Sequence, residues 1–269
     1  MSHLHTEVHG SGPALVLLHG WGLNLRVWDG LAAALAERFR TIAVDLPGHG
    51  RSEWLPTRSS LEEQAAQIHE SVSAIASRYS LLGWSLGGQI ALRLAAEQGP
   101  PAERARRPPT LERLVLIAAT PRLSAAADWP HGTPPERLEE QAAGLRTDYT
   151  RTVNDFLELQ VRGSAGGAAA LAQLRAALFA HGQARPEVLA RGLELLRDTD
   201  LRPLLGNIML PTLVIAGQYD RVTLPAASHA LANALPDAKY VEIRRAAHAP
   251  FLSHLPEVSA LLADFLLSP

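Results

Sequence analysis

Short apolar runs recur along the chain, and small or polar residues punctuate them. "ALVLLHG" (14–20), "TIAVDLPGHG" (41–50), "YSLLGWSLGG" (79–88), "LERLVLIAATP" (111–121), "PTLVIAGQYD" (211–220) and "KYVEIRRAAH" (239–248) each read as a strand followed by a loop. The runs are nearly continuous rather than alternating, as expected of parallel strands buried on both faces. Helical spacing fills the intervals near 29–38, 60–77, 86–98, 224–235 and 255–267. Strand–helix alternation predicts an α/β chain, a mostly parallel sheet with helices on both faces. The opening "LHTEVHGSGPALVLL" predicts a hairpin turning at Gly10–Pro13, which supplies an antiparallel edge.

The alternation stops between about 121 and 205, where helical patterns occupy 136–145, 148–161, 166–180 and 187–197. Val153, Phe156, Leu157 and Val161 share one helical face, as do Leu171, Leu174 and Leu178. This predicts a helical cap, 121–205, inserted into a core made of 1–120 and 206–269. The plainer alternative is a helical extension packed on the core. The Pro- and Arg-rich "GPPAERARRPPT" (99–110) reads as a solvated connector.

Composition changes this picture little. The 269 residues are 47% hydrophobic and 19% charged, with a formal net charge of -2, so no basic excess points to nucleic acid or an anionic membrane. Cysteine is absent, which excludes disulfides, thiolate metal sites and a cysteine nucleophile. The first residues lack the basic segment and long apolar core of a signal peptide. The run Ala14–Leu18 is far short of the roughly 20 residues of a membrane span. These features predict a cytoplasmic location.

The candidate chemistry centres on "GWSLG" (83–87), where Ser85 lies between a strand-like run and a helical one. A sharp strand-to-helix turn crowds the backbone, and glycines at 83 and 87 relieve it. The serine hydroxyl then projects from the turn, with a helix N-terminus behind it to favour developing negative charge. A serine hydroxyl needs a base, and the base an orienting acid, in the chain order Ser, Asp or Glu, His. His248 ends the loop after the last strand, where a base should stand. His229 falls within a helix and His254 at the start of one. Asp220 follows a strand, whereas Asp198 and Asp200 end a cap helix. "HGWG" (19–22) follows the first buried strand, so the backbone N–H groups of Trp21 and Leu86 are the candidate oxyanion hole. His49, in a second glycine turn, reads as structural.

"LLHGWG", "DLPGHGRS", "GWSLGG", "PTLVIAGQYDRV" and "AAHAPFLSHLPEV" stand in the order of the α/β-hydrolase superfamily, which the chain resembles over essentially its whole length. Within it, "LHGWGLN", "LGWSLGG", "RTVNDFLELQ", "NIMLPTLVIAGQYD" and "AAHAPFLSH" resemble the pimeloyl-[acyl-carrier protein] methyl ester esterases of biotin synthesis. The resemblance implies the α/β-hydrolase fold, Ser85 as nucleophile, Asp220 as acid, His248 as base, and no cofactor. It implies a substrate site of Trp21, Ser85, Leu86 and His248, covered by Phe156, Leu157, Glu158, Leu159 and Gln160. It also implies an acyl carrier protein as partner, gripped by cap arginines such as Arg151. The chain departs from the family at Asp155, where a second arginine is expected, and in the alanine-rich "GGAAALAQ". Arg146, Arg162 and Arg175 are the available substitutes. Two other readings share these residues: a general small-ester, lactone or carbon–carbon bond hydrolase, and a ligand receptor that keeps the fold without turnover.

Overall fold

The computed structural model describes residues 4–99 and 110–268. The expected solvated connector therefore lies, apart from its two ends, outside the described residues. Seven strands of the described chain form one sheet in the order β1-β3-β2-β4-β5-β6-β7. They are β1 (Thr6–His9), β2 (Ala14–Leu18), β3 (Arg40–Val44), β4 (Arg78–Trp84), β5 (Thr110–Ile117), β6 (Thr212–Gly217) and β7 (Ala238–Ile243). All neighbours pair in parallel except β1 and β3. The central runs are the most buried, β6 at every position and β2 at all but its first, whereas the edge strand β7 is buried only at Ile243.

The expected hairpin does not form. β1 does supply an antiparallel edge, but it pairs with β3, Thr6 opposite Val44 and His9 opposite Thr41. The two edges of β2 are taken by the parallel strands β3 and β4, so β1 has no room beside its sequence neighbour. The chain between them runs under the turn that precedes β3, and Ser11 N–H donates to Ala36 O. Gly10 has φ +77°, and a Cβ there would lie 2.4 Å from Phe39 O, so only glycine passes.

The helices α1 (Asp29–Leu35), α2 (Leu61–Ser73) and α3 (Leu86–Glu97) belong to the first half of the sheet. Helix α2 opens with a capping box: Ser60 Oγ accepts from Glu63 N–H, and the Glu63 carboxylate accepts from Ser60 N–H. Between β5 and β6 come α4 (Pro135–Thr147), α5 (Tyr149–Val161), α6 (Gly167–Ala180) and α7 (Pro186–Asp198), each within two residues of its predicted bounds. Helix α4 packs on α5 and α7, and α6 packs on the 3₁₀ turn Leu25–Trp28 of the core. Asn24 fixes that last contact, its Nδ2 donating to Ala177 O at 2.8 Å. Helix α8 (Pro225–Ala234), a single helical turn Pro250–Ser253 and helix α9 (Leu255–Leu267) complete the order. Among the described residues, no helix is long and apolar enough to cross a membrane.

Candidate active site

Parallel strands direct all their carboxyl ends to one edge of a sheet, and the loops there build sites. Ser85 follows β4, Asp220 follows β6 and His248 follows β7, so all three stand on that edge. Ser85 has φ 56° and ψ -117°, a backbone state that side chains other than glycine rarely adopt. Its neighbours show why the turn is sharp. A Cβ on Gly83 would meet Gly87 O at 2.4 Å, and one on Gly87 would meet Leu18 O and His19 O at 2.5 Å. Strand β4, helix α3 and the loop after β2 therefore approach closer than any side chain permits.

Asp220 is buried and fully engaged. Its Oδ1 accepts from the N–H groups of Val222 and Thr223 at 2.8 and 2.9 Å. Its Oδ2 accepts from His248 Nδ1 at 2.8 Å. With the proton on Nδ1, the lone pair of His248 lies on Nε2, which is buried and makes no hydrogen bond to Ser85 or to any other described group. The main chain of His248 is held from two sides. Its N–H donates to Gln160 O at the end of α5, and its carbonyl accepts from Trp84 Nε1 at 2.8 Å. The Trp84 ring packs against the imidazole, and Trp84, Phe251 and Trp28 pack on one another behind it.

The loop after β2 borders Ser85: a Cβ on Gly20 would lie 3.2 Å from Ser85 Cβ. Two buried histidines shape this loop. His19 Nδ1 donates to Gly20 O while its Nε2 accepts from Leu46 N–H. His49 Nδ1 donates to Pro47 O, and Gly22 N–H approaches its Nε2 at 3.4 Å. Burial holds both imidazoles neutral, His49 lowered to about 4 and His19 well below the ordinary value. His49 is thus part of the scaffold. Leu86 is the first residue of α3, where helix geometry leaves the N–H groups without intrahelical acceptors.

A cavity of about 350 Å³ opens beside Ser85, lined by Trp21, by Leu138, Phe156, Leu159 and Leu193 of the helices between β5 and β6, and by Arg137 and Arg221 among others. The Trp21 and Phe156 rings meet edge to face at 5.0 Å, and Trp21 Nε1 donates to Leu189 O of α7. Of the stretch 156–160, Phe156 and Leu159 line the cavity. Leu157 faces the core, Glu158 is half-exposed beside Arg175, and Gln160 is buried behind the site. Arg151 is 78% exposed and stands 3.6 Å from Asp155, which also borders the cavity.

The other sequence candidates are engaged elsewhere. Asp198 pairs with Arg197, and Asp200 accepts from Arg122 and Arg202; hydrogen bonds from those arginines hold both carboxyls below their usual range. His229 packs on Tyr240, and His254 Nδ1 meets Ser253 Oγ. Sequence reasoning missed two residues. Trp84 reads only as a filler position of the serine motif. Gly192 carries no motif signal, yet a Cβ there would lie 2.6 Å from Trp21 Cδ1.

Comparison with known proteins shows the family and the fold. A family model described as the alpha/beta hydrolase fold matches residues 13–255. The pimeloyl-[acyl-carrier protein] methyl ester esterase of Nitrosomonas europaea is 40% identical over 254 residues, 94% of this chain and 95% of that protein. The esterase of the same name from Xanthomonas oryzae pv. oryzae is 41% identical, over 98% and 99% of the two chains. An esterase from Exiguobacterium antarcticum superposes with a TM-score of 0.89 at 22% identity, over 99% of this chain and 96% of its own.

Proposed function

Because this chain belongs to the family of pimeloyl-[acyl-carrier protein] methyl ester esterases, on the α/β hydrolase fold, we propose that it hydrolyses the methyl ester of a pimeloyl group held on acyl carrier protein. The products are methanol and the free carboxylate, in the cytoplasm and in the service of biotin synthesis. The segment 121–205 acts as the cap.

Ser85 Oγ attacks the ester carbonyl carbon while His248 Nε2 takes its proton. The carbonyl oxygen becomes an oxyanion that accepts from the N–H groups of Trp21 and Leu86. When the tetrahedral species collapses, the methoxy group takes the proton from His248 and leaves as methanol. Water then gives a proton to His248, attacks the acyl-enzyme and restores Ser85. Asp220 fixes the imidazole tautomer and stabilises the transient imidazolium. The observation that carries this reading is the His248 ring: Nδ1 is bonded to a buried carboxylate, and Nε2 is left with a lone pair and no partner. Such bonds to the nucleophile are often long before substrate binds and tighten in the complex.

The apolar part of the cavity wall, Trp21, Leu138, Phe156, Leu159 and Leu193, suits a methylene chain, while Arg137 and Arg221 border the same cavity. Arg151, the exposed cation on α5, grips the acidic carrier. Asp155 offsets part of that charge, and Arg175 is paired with Glu158. The deciding experiment compares steady-state hydrolysis of methyl pimeloyl carrier protein with that of a free methyl ester at low and high salt. A higher kcat/KM for the carrier-bound ester that falls with salt supports the proposal. Equal, salt-independent values favour a general esterase, and no turnover with either favours a receptor.

A further inference from the structure

Away from the cavity, the edge strand and the end of α6 bring together a cluster that ester hydrolysis does not use. His5 immediately precedes β1, and its Nε2 lies 3.4 Å from Oε1 of Glu7 on that strand. His181, at the C-terminal end of α6, places its ring 5.1 Å from that of His5. Donor atoms of His5, Glu7 and His181 all lie within 4.8 Å of one another. Asp45 orients the third: its Oδ2 accepts from His181 Nε2 at 2.9 Å, with both side chains fully buried. The Nδ1 lone pair of His181 is then left buried and without a hydrogen-bond partner among the described residues. An unpartnered buried acceptor is costly, and a carboxylate behind an imidazole is the arrangement that directs such a nitrogen at a metal ion.

We propose that His5, Glu7 and His181 form a binding site for a zinc-class divalent metal ion, with Asp45 as the residue that positions His181. Two imidazole nitrogens and one carboxylate oxygen are a donor set that zinc takes. Tetrahedral bonds of about 2.0–2.2 Å set donors roughly 3.4 Å apart, the present His5–Glu7 spacing. Arg26 also pairs with Glu7, but Asp29 stands 3.5 Å from its guanidinium and remains as a partner when the ion takes Glu7. The two carboxylates of Glu7 and Asp45 outweigh that one cation. The ion would tie the β1 edge, the loop after β3 and the cap together.

The test uses the chain without an affinity tag, stripped by chelator, and titrates Zn²⁺ by calorimetry and Co²⁺ by its visible absorption. The expected result is one ion per chain and an unfolding midpoint raised by several degrees at saturation. His5→Ala and Glu7→Gln, both partly exposed positions, should each weaken binding more than tenfold. His9→Ala is the control: its Nε2 lies 3.8 Å from Glu7 on the outer side, and binding should stay unchanged. The proposal is overturned if the wild type binds no more tightly than His5→Ala, or if His9→Ala loses the ion while His5→Ala keeps it.

Discussion

The indole N–H of Trp84 donates to the backbone oxygen of His248 at 2.8 Å, and the two rings stand 5.5 Å apart. The residue before the proposed nucleophile thus holds the loop that carries the proposed base. Trp84→Phe keeps most of the packing and removes the donor. Leaving the carbonyl unsatisfied should cost about 1–3 kcal/mol of stability, and the loosened base should lower kcat by about 10–100-fold with KM little changed. Denaturant titration and steady-state kinetics check both; an unaltered kcat would show that Asp220 and Gln160 position His248 unaided.

Ser85→Ala should remove at least about four orders of magnitude of turnover and keep the fold. Ser85→Gly should be equally inactive and more stable than Ser85→Ala, because φ 56° with ψ -117° strains every residue with a Cβ. Near-normal activity in a folded Ser85→Ala protein would end the nucleophile assignment.

Asp220→Asn loses the carboxylate that fixes the His248 tautomer. Turnover should fall by about 10⁴ while ester binding persists. Asp198→Asn and Asp200→Asn, whose carboxylates are bound to arginines, should leave the chemistry intact. The opposite ranking in single-turnover assays would move the acid to the end of the cap helix.

Gly192→Ala tests the proposed cap from its contact with Trp21. Alanine favours a helix over glycine by about 1 kcal/mol, but crowding a buried ring costs about 1–3 kcal/mol, so stability should hold or fall slightly. The new Cβ would press on Trp21, within 2.9 Å of its Nε1, and break the bond to Leu189 O. KM for the ester should rise about tenfold, equivalent to ~1.4 kcal/mol of binding, with burst labelling of Ser85 preserved.

Acid should destabilise the fold through His49. Its folded pKa is lowered from 6.5 to about 4 by burial, so the unfolded chain binds the proton more readily between those values. Stability should therefore fall as pH drops from 6.5 towards 4, by at most about 3 kcal/mol from this residue. His49→Gln keeps a polar group in the loop without the titration and should show a shallower decline in urea midpoints. An equal decline would assign the effect to His19.

The sequence by itself determined the secondary elements, the strand–helix alternation and the positions of Ser85, Asp220 and His248. Those features are local: a period of apolar residues, a glycine two positions from a serine, an acid or imidazole at a strand end. Tertiary structure alone decided which elements became neighbours. The edge strand passed over its sequence neighbour to pair with β3, because both edges of β2 were already taken. Trp84 met His248 across 164 positions, Gly192 met Trp21, and His181 met Asp45 across 136. Periodicity reports which face of an element is buried, and it carries no information about which distant residue will be packed against that face.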